Sequence, residues 1–226
     1  MKKRFLCIMF MWMTIFTVAP TQQSQAYVWV IIKEILIKVL KALDLAVQRL
    51  QNVTVKLQNV QKEIENELSK LKLKEIAEWG EKERSLFKSY YDELWKVKNL
   101  ISMYKRVADI IAKQKQIIAE YKTAYNSFSR DSHFSPQELE HIYQVFSGIL
   151  DASLKNIDQL SLVVNSLLTQ MPDGKRLDII HQVSVSVDKN LSDLRAFTSQ
   201  NIMISLQRAK NQQELSTIKN LYGLPQ

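Results

Sequence analysis

Between Ile32 and Leu71 apolar residues return at alternating intervals of four and three, and this spacing limits the fold more than any other feature of the chain. With Leu36 taken as an a position, the a sites are Leu36, Leu43, Leu50, Leu57, Ile64 and Leu71. The d sites are Ile32, Val39, Ala46, Val53, Val60 and Glu67, so Glu67 breaks the seam. A straight helix repeats every ~3.6 residues, so a seam kept at ~3.5 stays on one side only when the helix winds against a partner. The stretch is expected to be a docking helix about 60 Å long at ~1.5 Å per residue. Its partner is either another helix of the chain or a second copy, and the seam does not choose between them.

The remaining composition points the same way. Four glycines and four prolines in 226 residues leave little material for hairpin turns, so an all-α fold of long coiled-coil-like helices is expected, as an elongated hairpin or bundle with a shorter helical pair on the C-terminal side. Residues 1–26 have the layout of a secretory signal: Lys2, Lys3 and Arg4, an apolar run from Phe5 to Ala19, and Ser24-Gln25-Ala26 as the small-x-small site, with cleavage after Ala26. A run of about 15 apolar residues is short for a bilayer that needs ~20. Cleavage would remove the sole cysteine, Cys7, leaving no disulfide and no thiolate metal site, and would place the protein outside the cytoplasm, in the periplasm or cell envelope.

Two regions are expected after the signal, 27–128 and 129–226. The first opens on an apolar patch, Tyr27 to Ile32, suited to a core, partner or membrane-surface contact, and its first helix is expected to run to about Trp79, stopped by Gly80. The spacing of Phe87, Tyr90, Leu94, Val97, Ile101, Tyr104, Ala108 and Ile111 predicts a second long helix from Glu81 to Phe128, folded back on the first. Ser135-Pro136-Gln137-Glu138 is a capping box with proline at the first helical position, and Phe134 is placed to staple onto Leu139. The helix it starts has Ile142, Phe146, Leu150, Ile157, Leu160 and Val164 on one face, and Met171-Pro172-Asp173-Gly174 after it reads as a tight turn. The next helix carries Ile180, Val183, Val187, Leu194, Phe197 and Ile204, interrupted by Asn190 and Asn201; its Val-Ser-Val-Ser-Val stretch alternates like a strand but has helical flanks. Asn211 and Glu214 cap a last short helix ending at Tyr222-Gly223.

No catalytic motif is present: there is no glycine-rich phosphate loop, no His-Glu-x-x-His and no Gly-x-Ser-x-Gly. The pairs Glu138/His141 and Asp178/His181 have a spacing used by metal-binding bundles, but the first lies in a capped helical turn where an acid is favoured anyway, so no metal or other cofactor is expected. His133 reads as a solvated loop residue. Aromatic and basic residues interleave from Lys88 to Arg106, including Tyr90, Tyr91, Trp95, Lys98 and Tyr104, the pattern of a single-stranded DNA groove. Asp92, Glu93 and Asp109 dilute it, and a formal charge of +8 is modest for a phosphate-binding face, so nucleic-acid contact is the weaker expectation.

The segments Arg49-Leu-Gln-Asn-Val-Thr-Val-Lys-Leu-Gln-Asn, Glu93-Leu-Trp-Lys-Val-Lys, His133-Phe-Ser-Pro-Gln-Glu-Leu, Lys155-Asn-Ile-Asp-Gln-Leu, Ser205-Leu-Gln-Arg-Ala-Lys and Leu221-Tyr-Gly-Leu resemble the TraI-type conjugal transfer proteins of Bacteroides-group conjugative transposons. The resemblance runs over nearly the whole chain and rests on extended similarity. It implies an exported, non-enzymatic accessory of a type IV secretion apparatus that passes DNA between cells, with other mating-apparatus proteins as partners and with self-association through the first helix as a further expectation. A relaxase of the same name is unrelated, and its His-x-His metal cluster is missing here. The resemblance carries over no catalytic or binding residue; from the seam, the residues expected to dock are Ile32, Leu36, Val39, Leu43, Leu50, Val53, Leu57, Val60, Ile64 and Leu71. The alternative expectation is a single-stranded DNA-contacting module of the transfer channel.

Overall fold

The computed structural model describes residues 23–70, 81–165 and 171–225. The expected break at Gly80, the seam residue Leu71 and residues 1–22 of the expected signal lie outside them, and α1 runs through the Ala26–Tyr27 bond. The described residues form five helices: α1 (Gln23–Lys70), α2 (Glu81–Phe128), α3 (Pro136–Asn165), α4 (Asp173–Gln207) and α5 (Gln212–Leu221). The all-α expectation holds, and the second helix has the bounds the spacing predicts.

Local chemistry sets the helix ends. Ser135 and Glu138 close the capping box reciprocally: the Ser135 amide donates to Glu138 Oε2 at 2.8 Å, and the Glu138 amide donates to Ser135 Oγ at 3.3 Å. Asn211 caps α5 by accepting from the Glu214 amide at 2.9 Å. Gly223, at φ +66°, supplies the left-handed residue after α5, so the Leu224 amide can reach the Lys219 carbonyl at 2.8 Å. The expected turn at Met171 to Gly174 resolves differently. Pro172 is extended and serves as the N-cap, and Asp173 and Gly174 are already helical, because proline before a helix and an acid in its first turn favour a start more than a closed turn.

Packing answers the question that the seam leaves open. α1 packs most extensively on α3 and next on α2, while α4 packs on both α2 and α3. Lys113 with Asp188 and Glu120 with Arg195 tie α2 and α4 in parallel at a constant offset, and Glu138 with Arg208 ties the start of α3 to the end of α4. The result is an up-down-up-down four-helix bundle in which α3 shares the direction of α1. Ile32, Val39, Leu43, Ala46 and Leu50 are buried in one apolar cluster with residues of α2, α3 and α4, and Leu36, Val53 and Leu57 pack on its edge. At ~1.5–3 kcal/mol for each fully buried aliphatic side chain, this half of the seam is a folding element. Beyond it the seam loses cover: Ile64 is half-buried and Val60 is exposed. On α2, the expected Tyr104 and Ile111 are buried, but Ala108 is exposed and Val107 and Ile110, outside the expected stripe, join the core, because a helix facing both α1 and α4 needs a wider face than a heptad seam. On α4, Val183 and Val187 are buried and Val185 is exposed, as helical periodicity requires and strand alternation does not.

A polar layer crosses the bundle. Gln114 and Ser153 are fully buried and Asn156 and Asn190 nearly so; Gln114 Nε2 and Oε1, Ser153 Oγ, Asn156 Nδ2 and Asn190 Nδ2 have no hydrogen-bond partner among the described residues. The register of the Glu138–Arg208 and Lys113–Asp188 pairs puts Gln114, Asn156 and Asn190 at one level. A buried amide without a partner costs about 1–3 kcal/mol. Gln114→Met, similar in shape and apolar, is therefore expected to raise unfolding stability by roughly 1–3 kcal/mol, read as a higher urea midpoint at unchanged m-value; a lower midpoint would show that the Gln114 amide is satisfied.

Candidate functional site

The two ends of the bundle differ in chemistry. At one end α1 and α2 outrun their neighbours. α2 residues Leu100, Met103 and Tyr104 sit against Val163 and Val164 near the end of α3 and Arg176 near the start of α4, so α2 from Glu81 to Asn99 extends roughly 28 Å past the bundle at ~1.5 Å per residue. This stretch lies along α1, with Lys98 Nζ 3.9 Å from Glu65. Leu94 and Val97 are buried there but stand apart from the main apolar cluster. Three large side chains of the arm are exposed among charged ones such as Lys88, Asp92 and Glu93: Trp95 is 61% exposed, Leu86 58% and Tyr91 55%, with Phe87 and Tyr91 stacked at 6.4 Å between centroids. Leu86, Ser89, Tyr90 and Glu93 line a shallow notch of about 110 Å³ on its side. Such a projection of large exposed rings is a contact surface in form, since single exposed apolar residues are ordinary but a cluster rimmed by charge is not.

Of the interleaved aromatic and basic residues, Tyr104 is buried in the core, its hydroxyl held to a pKa of about 12 by burial, and Tyr90 is half-buried. Trp95 and Tyr91 alone of the named rings face solvent. Lys96 pairs with Glu93 at 2.7 Å, and Lys98 lies near Glu65, so the cations on this surface are partly neutralised.

At the other end, the loop between α2 and α3 folds onto the end of α4 and onto α5. Asp131 is buried, and its Oδ2 accepts from Ser205 Oγ at 2.5 Å and from the Tyr222 hydroxyl at 2.5 Å. Its Oδ1 accepts from the His133 amide at 2.9 Å and lies 2.7 Å from His133 Nδ1. Burial works to raise the Asp131 pKa, but the donors from Ser205, Tyr222 and His133 outweigh it and hold the carboxyl below its ordinary value. Burial and the same carboxylate push the Tyr222 hydroxyl up. Arg208 forks onto Glu138 at 2.6 and 3.0 Å and donates to the His133 carbonyl at 2.6 Å; with the Ser135 donors it lowers the Glu138 pKa to about 2. Beneath lies an aromatic floor in which Phe128 meets Phe134, Phe146 and Tyr222 at 5.6–6.1 Å.

His133 is thus a bonded, part-buried residue and not the solvated one expected from its loop position; Asp131 draws it inward. Ser205, Asp131 and His133 have the composition of a nucleophile triad but not its order. The serine donates to the carboxylate, the histidine stands on the far side of that carboxylate, and Ser205 is fully buried from any substrate. Asp131 and Glu214 sit on opposite ring nitrogens of His133 and do not converge on a common point. Among the described residues no group of three His, Cys, Asp or Glu side chains is arranged to hold a metal ion; His141 and His181 are exposed, and Glu138 is committed to Arg208. A cavity of about 350 Å³ between α2 and α4 is walled by small residues such as Ala119, Thr123 and Ser199, with Ile202 and Tyr222, and the Glu120–Arg195 pair lies at its side. No helix among the described residues is long and apolar enough to cross a membrane. Compared with protein-family models, with curated proteins and with solved structures, the chain matches none of them.

Asp131 carries the junction's prediction. Because its folded pKa is depressed, as are those of Glu138 and Glu214, the stability these groups contribute is complete above the unfolded carboxylate pKa near 4 and is lost as pH falls through the folded values. The melting temperature is expected to fall between about pH 5 and pH 2. Asp131→Asn is expected to lose about 2–3 kcal/mol at neutral pH and to flatten that acid slope in thermal melts.

Proposed function

We propose that this protein is an exported, non-enzymatic component of a conjugative DNA-transfer apparatus of the type IV secretion kind, working in the periplasm or cell envelope by docking helices onto other proteins of that apparatus. The family resemblance supplies the setting. The observation that carries the docking is the arm, where Trp95, Tyr91 and Leu86 stand in solvent beyond the end of the four-helix core. Aromatic anchors of this kind carry most of the energy at protein interfaces. The docking role accordingly moves from the first half of the α1 seam to the arm, since Ile32, Val39, Leu43 and Leu50 are occupied inside the bundle. A second reading, contact with the transferred single strand, draws on the same exposed Trp95 and Tyr91 beside Lys88 and Lys98, because bases stack on such rings.

Tyr91→Ser with Trp95→Ser tests the first reading. The double variant is expected to melt within about 2 °C of the parent, both side chains being mostly exposed, and to lose at least tenfold of its co-purification with transfer-apparatus proteins from cross-linked donor cells. Undiminished co-purification would refute arm docking. Salt-sensitive binding of an oligonucleotide by the parent that the variant lacks would favour the second reading.

A further inference from the structure

The arm carries a second stripe, apart from the side that it turns to α1. Glu81, Arg84, Lys88, Tyr91, Trp95 and Lys98 recur along α2 at intervals of three and four, and all of them are exposed. On a helix they fall within about 100° of arc, so they make one continuous face from the start of α2 to the last residues before the bundle. Leu94 and Val97, buried in the arm, lie on a different side of the helix. Such spacing is that of a coiled-coil contact, and the charges along it restrict what can cover it.

The stripe is complementary to itself when reversed. With two copies antiparallel and their arms overlapping from end to end, Glu81 meets Lys98 of the second copy, Arg84 meets Trp95 of the second copy, and Lys88 meets Tyr91 of the second copy. Each contact occurs twice across the two-fold axis, giving ion pairs at the ends and cations over ring faces between them. Lys98 can take part, since it lies 3.9 Å from Glu65 with its side chain 54% exposed. Other arrangements bring like charges together. A parallel pair sets Glu81, Arg84 and Lys88 each against its own copy, and a slip of one heptad sets Lys88 against Lys98 in one direction or Arg84 against Lys88 in the other. The complementary register also suits the shape: Leu100, where α2 enters the bundle, comes level just beyond Glu81 of the second copy, so each bundle stands past the end of the other α2.

We infer that the arm is covered, before it meets the apparatus, by the arm of a second copy of this chain, packed antiparallel along this stripe. The inference rests on the reading of the arm as a contact surface and adds a constraint to it. Tyr91 and Trp95 cannot be covered twice, so the second copy leaves when the arm docks elsewhere. Exposed ion pairs and cation–ring contacts are weak one by one, which suits a contact that is exchanged.

Sedimentation of the purified protein alone, over a range of concentrations and at two salt levels, tests the pairing. The parent is expected to dimerise reversibly, and less so as salt rises. Glu81→Lys sets a like charge against Lys98 of the second copy and is expected to weaken the dimer roughly fivefold or more. Adding Lys98→Glu to Glu81→Lys is expected to restore it, because the two changes exchange charges across an antiparallel contact; a parallel pair gains no such rescue. Tyr91→Ser with Trp95→Ser is expected to be monomeric. These side chains are exposed, so every variant is expected to melt within about 2 °C of the parent. A parent that stays monomeric, or a dimer that ignores Glu81→Lys or is not rescued by Lys98→Glu, would overturn the inference. No apparatus protein is present in this experiment, so such a failure leaves docking onto the apparatus to the co-purification that tests it.

Discussion

The structure depends on cover for the apolar face of α1. A 48-residue helix with a continuous seam cannot remain alone in water, and the cover comes chiefly from α3, which begins 65 residues after α1 ends, and from α2 folded back along it. Once α1, α2 and α3 are set, α4 fills the remaining side, and Glu120–Arg195 and Lys113–Asp188 hold its register. These exposed pairs are each worth under about 1 kcal/mol, so they select the register while the apolar cluster supplies the stability.

A mismatch in length divides the molecule into core and arm. Among the described residues α3 spans 30 and α4 spans 35, against 48 for α2, so α1 and α2 run on along each other where the other two layers are shorter. The stretch that would be core under a longer α3 and α4 becomes surface, which is why Val60 on the seam is exposed and Leu94 and Val97 form a separate small cluster. The opposite end is closed tightly by an aromatic floor and by a carboxylate with four donors, so it fixes how the ends of α2, α3, α4 and α5 meet.

What was legible in the sequence was local. The capping boxes at Ser135 and Asn211 and the apolar faces of α3 and α4 each follow from residues a turn or two apart, and they stand where expected. Leu50 and Val60 look alike in a heptad, yet one is core and the other surface, because spacing records that a face needs cover and not where the cover stops. The Asp131 junction was illegible for a related reason: Ser205 and Tyr222 lie 74 and 91 residues away from Asp131, and no pattern joins them before the bundle closes. The available hint was Asp131-Ser132-His133 set between apolar Phe128 and Phe134, polar residues in a loop too short to leave the aromatic floor. Gln114 gave no hint at all, since an amide on a long helix is ordinarily solvated.

The claim that the arm is the working surface is tested most directly by a photo-crosslinking amino acid placed at Trp95 in mating donor cells, with the same residue placed at Met203 on the exposed side of α4 for comparison. The account predicts covalent adducts between the Trp95 position and another protein of the transfer apparatus, and few from Met203. Adducts from Met203 with none from Trp95 would contradict it.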